Sequence, residues 1–392
     1  MDNKNLSQIF NHFVLETGYY LHKTDETSKT PSILFCLFDA GETFALKSVI
    51  EEMKYEGIPY KIIALGTSWS LMKDEPHVLD IYEKFHWSHD HELLSWDRNL
   101  KIPDKVFKRI KLHCHPDIFI TGMVSAFQLQ LCELFKEQGA EILAFYDAFS
   151  PIDPNSIQAK FMDIATQVLV PAKGIGESVR EYYPNCDVHV VGQPTLEYWL
   201  DSLNGQNFNM IKEKLFLTDD KSILLFVGGY GMEYEAAFPL FVAGIEAMLN
   251  LHIVFALHPK TNGSFERAMF GPHADKIHFV GSEILTSHLV AIADVVLTVN
   301  STVGVQASFL GKPVIYVHTP EMKYTSLAIE QAWASKVTDV EALKDKIREA
   351  LTSCVCRWDR FQDGKVPREA SKMIYSRISA TEKWMKGTDL GG

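Results

Sequence analysis

The sequence predicts an α/β protein built from two doubly wound parallel sheets. Three observations carry that expectation. Short apolar runs alternate with amphipathic stretches along most of the chain, and the runs are apolar at nearly every position rather than at every second one. The alternation pauses at a polar stretch, Asp201–Asn209, and then begins again. Strands apolar on both faces belong in a parallel sheet covered by helices on both sides. A chain of 392 residues also exceeds one ordinary core, and it suits two domains of about 150–200 residues.

The elements follow in order. SILFCLFDA (Ser32–Ala40) reads as a buried strand, and the next stretch has helical spacing, with Phe44, Val49 and Met53 set against Glu51, Glu52 and Lys54. YKIIALG is a second strand, DIFITG (Asp117–Gly122) a third, and EILAFYD (Glu141–Asp147) a fourth; QVLVPA and DVHVVGQP continue the rhythm. After the break, SILLFVGGYG (Ser222–Gly231) is a strand ending in glycines, followed by a helix from about Tyr234 to Leu249. HIVFALHPK, KIHFVGS, ADVVLTVNS and KPVIYV complete the second sheet. The expected organisation is a first domain over 1–204, a second over 205–366 and a terminal amphipathic helix within 367–392. Two such domains imply a cleft, where ligands commonly bind.

Composition narrows the function classes. Hydrophobic residues make up 46% and charged residues 22%, as in a folded globular protein. A net charge of −12 argues against nucleic acid as a partner. Six scattered cysteines without paired CxxC knuckles read as reduced thiols. The N-terminal segment lacks the pattern of a signal peptide, and no apolar run is long enough to span a bilayer, so the expectation is a cytoplasmic protein. Basic residues from Lys344 onward offer a possible peripheral membrane contact; interleaved with acids, they read first as a solvated helix face. FHWSHDHE (with His86, His89, Asp90 and His91) and LHCHPD (with His113, Cys114 and His115) are rich in metal-ligand types but lack zinc-like spacing, so no metal is expected.

Four motifs carry candidate chemistry. In VLTVNSTVGVQASFLGKPVIYV (Val296–Val317), a strand gives way to Asn300, Ser301 and Thr302, then to a short helix stopped by Gly311 and Pro313. Ser301 or Thr302 then stands at a helix N-terminus, where backbone N–H groups and the positive end of the dipole suit a phosphate. Gly304 would let a ligand approach the backbone. The plain alternative is an N-cap without a ligand. ALHPK places His258, Pro259 and Lys260 at a strand end, with His258 as a donor toward a phosphate and Lys260 as added charge. VGGYG places Gly228, Gly229 and Tyr230 in a tight turn with exposed amides; it is not a dinucleotide fingerprint. FYDAFSP places Asp147 at a strand end of the first domain, as a base for a hydroxyl, with Asp39 and Glu42 of LFDAGE as further carboxylates.

Together, the two doubly wound units, the glycine turn, the HP dipeptide and the strand–serine/threonine–helix–GKPVI order resemble the GT-B fold of nucleotide-sugar glycosyltransferases. The resemblance spans the chain in architecture and is sharpest from Leu224 to Val317. The acidic strand end, HP and serine pair are similar to those of bacterial sialyltransferases and polysialyltransferases. NSTVGVQASFLGKPVI looks like capsule polysaccharide transferases of the Kdo type, and UDP-N-acetylglucosamine 2-epimerases share S-x-x-G-[IV]-Q and GKPV. The resemblance implies two Rossmann-like domains facing a central cleft, the terminal helix crossing back to the first. It implies a CMP- or UDP-linked sugar donor, a glycan or other hydroxyl acceptor, and a role in surface polysaccharide synthesis. Asp147 maps onto the base, His258 onto a phosphate ligand or acid, and Ser301 and Thr302 onto phosphate ligands. Gln306, Ala307 and Ser308 stand where UDP-binding members carry ribose-gripping glutamates, and no D-x-D occurs, which favours a metal-independent reaction. An epimerase, and a binding protein of the same fold without chemistry, remain open alternatives.

Overall fold

A computed structural model describes residues 32–55, 59–79, 81, 98–190, 193, 195, 199, 202–245, 248 and 250–352. The chain divides into two compact units, Met1–Tyr198 and Trp199–Gly392. The expected terminal helix within 367–392 lies outside the described residues, as do His86, His89 and His91.

In the first unit the order is β1 (Ile33–Leu37), α1 (Ala40–Tyr55), β2 (Tyr60–Ala64), α2 (Gly66–Met72), α3 (Asp104–His113), β3 (Ile118–Gly122), α4 (Ala126–Glu137), β4 (Glu141–Phe145), α5 (Ile157–Phe161), β5 (Gln167–Val170), α6 (Lys173–Tyr182) and β6 (Val188–Val190). The strands form one sheet in the order β2-β1-β3-β4-β5-β6, and every pair is parallel. All five residues of β1 and of β3 are buried, because helices cover both faces; that is why these runs do not alternate. The core on one side joins Phe35, Leu37, Leu46, Ile50, Ile62 and Phe145. Chain order reverses between β1 and β3, so a crevice opens at the carboxyl ends of these two strands.

The second unit repeats the plan: α7 (Phe208–Lys214), β7 (Ile223–Val227), α8 (Met232–Ile245), β8 (His252–Ala256), α9 (Ser264–Phe270), a 3₁₀ turn (Gly271–Lys276), β9 (Ile277–Val280), α10 (Thr286–Ile292), β10 (Val295–Thr298), α11 (Val303–Phe309), β11 (Val314–Val317), α12 (Leu327–Glu330), β12 (Ala334–Val337) and α13 (Val340–Thr352). Its sheet runs β12-β11-β10-β7-β8-β9, again wholly parallel. An aromatic cluster fills one face: the Phe226 ring stacks on Phe255 at 5.2 Å and meets Phe241 at 3.9 Å. Burying each such ring contributes about 1.5–3 kcal/mol. The order reverses between β7 and β10, which places the second crevice beside the glycine turn and the Asn300–Thr302 turn. α11 ends as its sequence requires, with Gly311 at φ +76°.

No helix among the described residues is long and apolar enough to cross a membrane.

Candidate functional site

Each unit carries half of the chemistry that the sequence points to, and each half sits at its own switch point. In the second unit, β7 leads into Gly228–Gly231. Gly228 donates its N–H to the Ala256 carbonyl at 2.9 Å, and a Cβ there would lie 2.9 Å from that same oxygen. Gly231 takes φ +87°, which turns the chain into α8. Tyr230 packs its ring on His258 at 4.6 Å. The Lys260 ammonium donates to the Tyr230 hydroxyl at 3.3 Å and lies 4.9 Å from the centre of its ring. Lys260 is only 4% exposed. Its charge is thus held inward against Tyr230, a local arrangement that the strand-end pattern did not foretell.

The HP dipeptide forms a tight turn. The Thr261 N–H and hydroxyl both donate to the His258 carbonyl, at 2.9 and 3.1 Å. His258 Nδ1 accepts the Lys260 N–H at 3.1 Å. In the neutral ring this fixes the hydrogen on Nε2, so the imidazole is a donor at that atom. Pro259 is exposed at the tip.

Across the switch point, the Thr298 hydroxyl donates to the Val227 carbonyl at 3.3 Å. Asn300 Nδ2 donates to Glu233 Oε2 at 3.5 Å, linking the turn after β10 to the first turn of α8. Ser301 Oγ accepts the Val303 N–H at 3.2 Å, and the Ser301 carbonyl accepts the Gly304 N–H at 3.1 Å. The Thr302 carbonyl accepts from Val305 and Gln306. Thr302 takes helical dihedrals, and its side chain makes no capping bond. The amides expected to face a phosphate are therefore engaged within the turn. The hydroxyls of Ser301 and Thr302, both partly exposed, are what the turn offers.

Two of the candidate positions are enclosed by protein. The Tyr316 ring occupies the space a side chain at Gly304 would need, with Thr298 Cγ2 at 3.0 Å from a Cβ position. Gln306 faces inward at 5% exposure, and Ala307 and Ser308 are fully buried. A carboxylate at 307 or 308 would be enclosed by protein. The lysine of the GKPV run is structural: Lys312 Nζ donates to the Ala291 and Ala293 carbonyls at 2.7 and 2.8 Å, closing the end of α10. Beside this region His318 is fully buried. Its Nε2 donates to the Val299 carbonyl at 2.9 Å. Its Nδ1 has no partner among the described residues, and burial pushes its pKa down to about 4.

In the first unit, three carboxylates gather at the ends of β1 and β4. Asp39 accepts the Ala40 N–H at 2.8 Å and pairs with Arg98 at 3.0 Å. It works as a helix cap and an ion-pair partner. Glu42, in the first turn of α1, is fully buried. Its Oε1 accepts from the Phe38 and Asp39 N–H groups and from Gln128 Nε2, the last at 2.8 Å. Burial, then the nearby Asp147 charge, raises its pKa to about 8 against the pull of the Phe38 amide. Asp147 is half-buried, two residues past β4. Its carbonyl accepts from Gln193 Nε2 at 2.6 Å, and its Oδ2 lies against Gly41, where a Cβ would overlap it.

Sequence reasoning missed Arg98, Gln128 and Gln193. Gln128 left a readable signal, since Ser125-x-x-Gln128 is the capping box that starts α4. The capping amide then reaches Glu42 with its other end. The pair His113 and His115 shares no site: His115 Nε2 donates to the Leu112 carbonyl at 3.2 Å. Among the described residues no group of three or more His, Cys, Asp or Glu side chains is placed to hold a metal ion.

No protein-family model matches the chain, and no curated protein matches it. Solved structures do. A UDP-GlcNAc 2-epimerase from Neisseria meningitidis bound to UDP-GlcNAc superposes with TM-score 0.61 at 14% identity, covering 89% of this chain and 100% of that one. A UDP-GlcNAc 2-epimerase from Methanocaldococcus jannaschii gives 0.57 at 17% identity, with 89% and 99% covered. A glycosyltransferase from Rickettsia africae gives 0.53 at 15% identity, with 92% and 100% covered. The chain shares the fold of these structures, the GT-B fold of two Rossmann-like domains.

Proposed function

We propose that this protein is a metal-independent glycosyltransferase that moves a sugar from a nucleotide-sugar donor to a hydroxyl acceptor. The observation that carries this reading is Asp147. It is a partly solvated carboxylate at a strand end, placed beside a buried acid. In the reaction, Asp147 takes the acceptor's hydroxyl proton as the oxygen bonds to the anomeric carbon. The bond from that carbon to the donor phosphate breaks, and its electron pair stays on the phosphate. His258 Nε2–H and the hydroxyls of Ser301 and Thr302 stabilise the phosphate as its charge grows. Asn300, Gly228, Gly229, Tyr230, Lys260 and Pro259 shape and support the turns that present those donors.

CMP- and UDP-linked donors both fit this chemistry. The enclosed Ala307 and Ser308 weigh against the ribose grip that the sequence comparison associates with UDP. The motifs shared with sialyltransferases and Kdo-type capsule transferases favour CMP donors and a place in surface polysaccharide synthesis.

A second reading, a UDP-GlcNAc 2-epimerase, is favoured by the gathering of Asp39, Glu42 and Asp147, because epimerisation needs several acids around one sugar. Two measurements separate the readings. A thermal-shift panel of CMP, UDP, CDP, GDP and their sugars identifies the nucleotide. Incubation of the stabilising sugar nucleotide without acceptor then yields a second sugar nucleotide if the protein is an epimerase. A transferase gives none, and forms product only when acceptor is added. Failure of every nucleotide to raise the melting temperature would refute both readings.

A further inference from the structure

We propose that the outer face of α3 is a docking surface for an anionic lipid bilayer, with Lys105, Lys108 and Arg109 meeting the headgroup charge and Leu112 entering the apolar boundary below it. The four side chains stand at positions i, i+3, i+4 and i+7 of one helix, so they share a face. Lys105 and Lys108 are exposed and Arg109 is half-exposed. Leu112 is 69% exposed, a large apolar side chain set among these cations. The opposite face does the packing, with Val106 and Ile110 buried. Two hydrogen bonds hold the helix beside α4, from the Ile102 N–H to Gln130 Oε1 at 2.7 Å and from Gln138 Nε2 to the Lys111 carbonyl at 3.1 Å. The basic stripe is thus carried on an anchored element and turned outward.

The fold does not explain this charge. From Asp104 to His113 the helix carries four Lys or Arg residues and one acid, in a chain whose net charge is −12. Lys111 and His113, in the last turn, suit the negative end of the helix dipole. Lys105 stands in the first turn, where a cation is disfavoured. Lys111 reaches Glu137 at 3.9 Å. Among the described residues Lys105, Lys108 and Arg109 have no acid within ion-pair distance, Asp104 included. The helix α13 provides the contrast. Its Lys344, Lys346 and Arg348 each pair with an acid three residues away, at 2.8, 2.6 and 2.7 Å. The cations of α13 are neutralised on their own helix, and those of α3 are left for a partner.

The chemistry of the stripe selects that partner. A soluble polyanion rewards the cations and leaves Leu112 in water. A bilayer rewards both, because cations lie within its negative surface potential and an apolar side chain reaches the acyl boundary. The convex face of a single helix also matches an extended surface better than a strand that must be enclosed. Attachment of this kind is independent of the reaction the protein performs.

Co-sedimentation of the full-length protein with vesicles is the test. The protein should sediment with vesicles of equal parts phosphatidylcholine and phosphatidylglycerol, stay in solution with phosphatidylcholine alone, and leave the anionic vesicles in high salt. Each cation near such a surface contributes about fivefold in partitioning, so Lys105→Gln with Lys108→Gln and Arg109→Gln should weaken binding by about a hundredfold. Leu112→Ser should weaken it by about tenfold with every charge in place. The same loss of three cations on α13, Lys344→Gln with Lys346→Gln and Arg348→Gln, should leave binding nearly unchanged. The proposal is overturned if the wild type does not sediment with the anionic vesicles, a measurement that needs no variant to fold. It is equally overturned if the α13 variant loses as much binding as the α3 variant, since net charge alone would then account for it. Binding that Leu112→Ser leaves undiminished overturns it as well, and matching retention on dextran sulfate would then assign the face to a soluble polyanion.

Discussion

Tyr316 fills the space that a side chain at Gly304 would need: its hydroxyl and ring overlap the Cβ position. The glycine in the first turn of α11 is thus a packing residue. Gly304→Ala should destabilise the protein by about 1–3 kcal/mol through overpacking. Adding Tyr316→Phe, which removes the nearest atom, should recover part of that loss. Denaturant unfolding of the three variants checks this, and a Gly304→Ala protein as stable as the wild type would contradict it.

Ser301 and Thr302 differ in what they do for the fold. Ser301 Oγ accepts the Val303 N–H, so Ser301→Ala should cost about 1 kcal/mol of stability as a lost cap. Thr302→Ala touches no capping bond and should stay within about 0.5 kcal/mol of the wild type. Both should weaken nucleotide binding by about tenfold or more, the size of a lost hydrogen bond to a charged group. Isothermal titration with the nucleotide found by thermal shift measures it. Unchanged affinity in the double variant would remove the phosphate role from this turn.

Asp147→Asn should lower kcat by about 10²–10⁴ and keep the bond to Gln193, which uses the Asp147 backbone carbonyl. Full activity would assign the base elsewhere.

Lys312 should behave in the opposite way. Its ammonium serves two buried carbonyls, so Lys312→Met should cost about 2–3 kcal/mol with no change in nucleotide affinity. A loss of binding without a loss of stability would return this lysine to the site.

His318 sets an acid limit on stability. Its pKa lies near 4 in the fold, below the ordinary imidazole value of 6.5. The unfolded chain therefore binds more protons between those values, and stability falls as pH drops from about 6.5 to 4. The loss is on the order of 2–4 kcal/mol. His318→Gln should flatten the slope of melting temperature across that window, and an unaltered slope would show that other groups control it.

Much of this architecture was legible in the sequence, and the reason is physical. A strand buried on both faces has to be apolar throughout, so β1, β3 and β7 announce themselves. Gly311 and Pro313 mark the end of α11 because few other residues can make that turn. The candidate residues Asp147, His258 and Ser301 were legible as strand-end residues, and each follows a strand, β4, β8 or β10. The causes behind individual residues were less so. Gly304 answers to a tyrosine in the next strand, and Glu42 takes its character from Gln128, 86 positions away. Lys260 turns inward toward a tyrosine 30 positions back. Such relations exist only after the sheets have brought distant segments together, and no local pattern encodes them.

The reversal in strand order has a consequence for how the protein is made. At the centre of each sheet, the neighbouring strands lie far apart in the chain. Thr121 bonds the carbonyl of Cys36, 85 positions away, and Thr298 bonds that of Val227, 71 positions away. Closing such spans costs entropy before any contact rewards it. A chain leaving the ribosome therefore completes the first sheet first. It completes the second only when β10 emerges and inserts beside β7. A nascent chain stalled within β9 carries Asp39, Glu42, Asp147 and the glycine turn but lacks the Asn300–Thr302 turn.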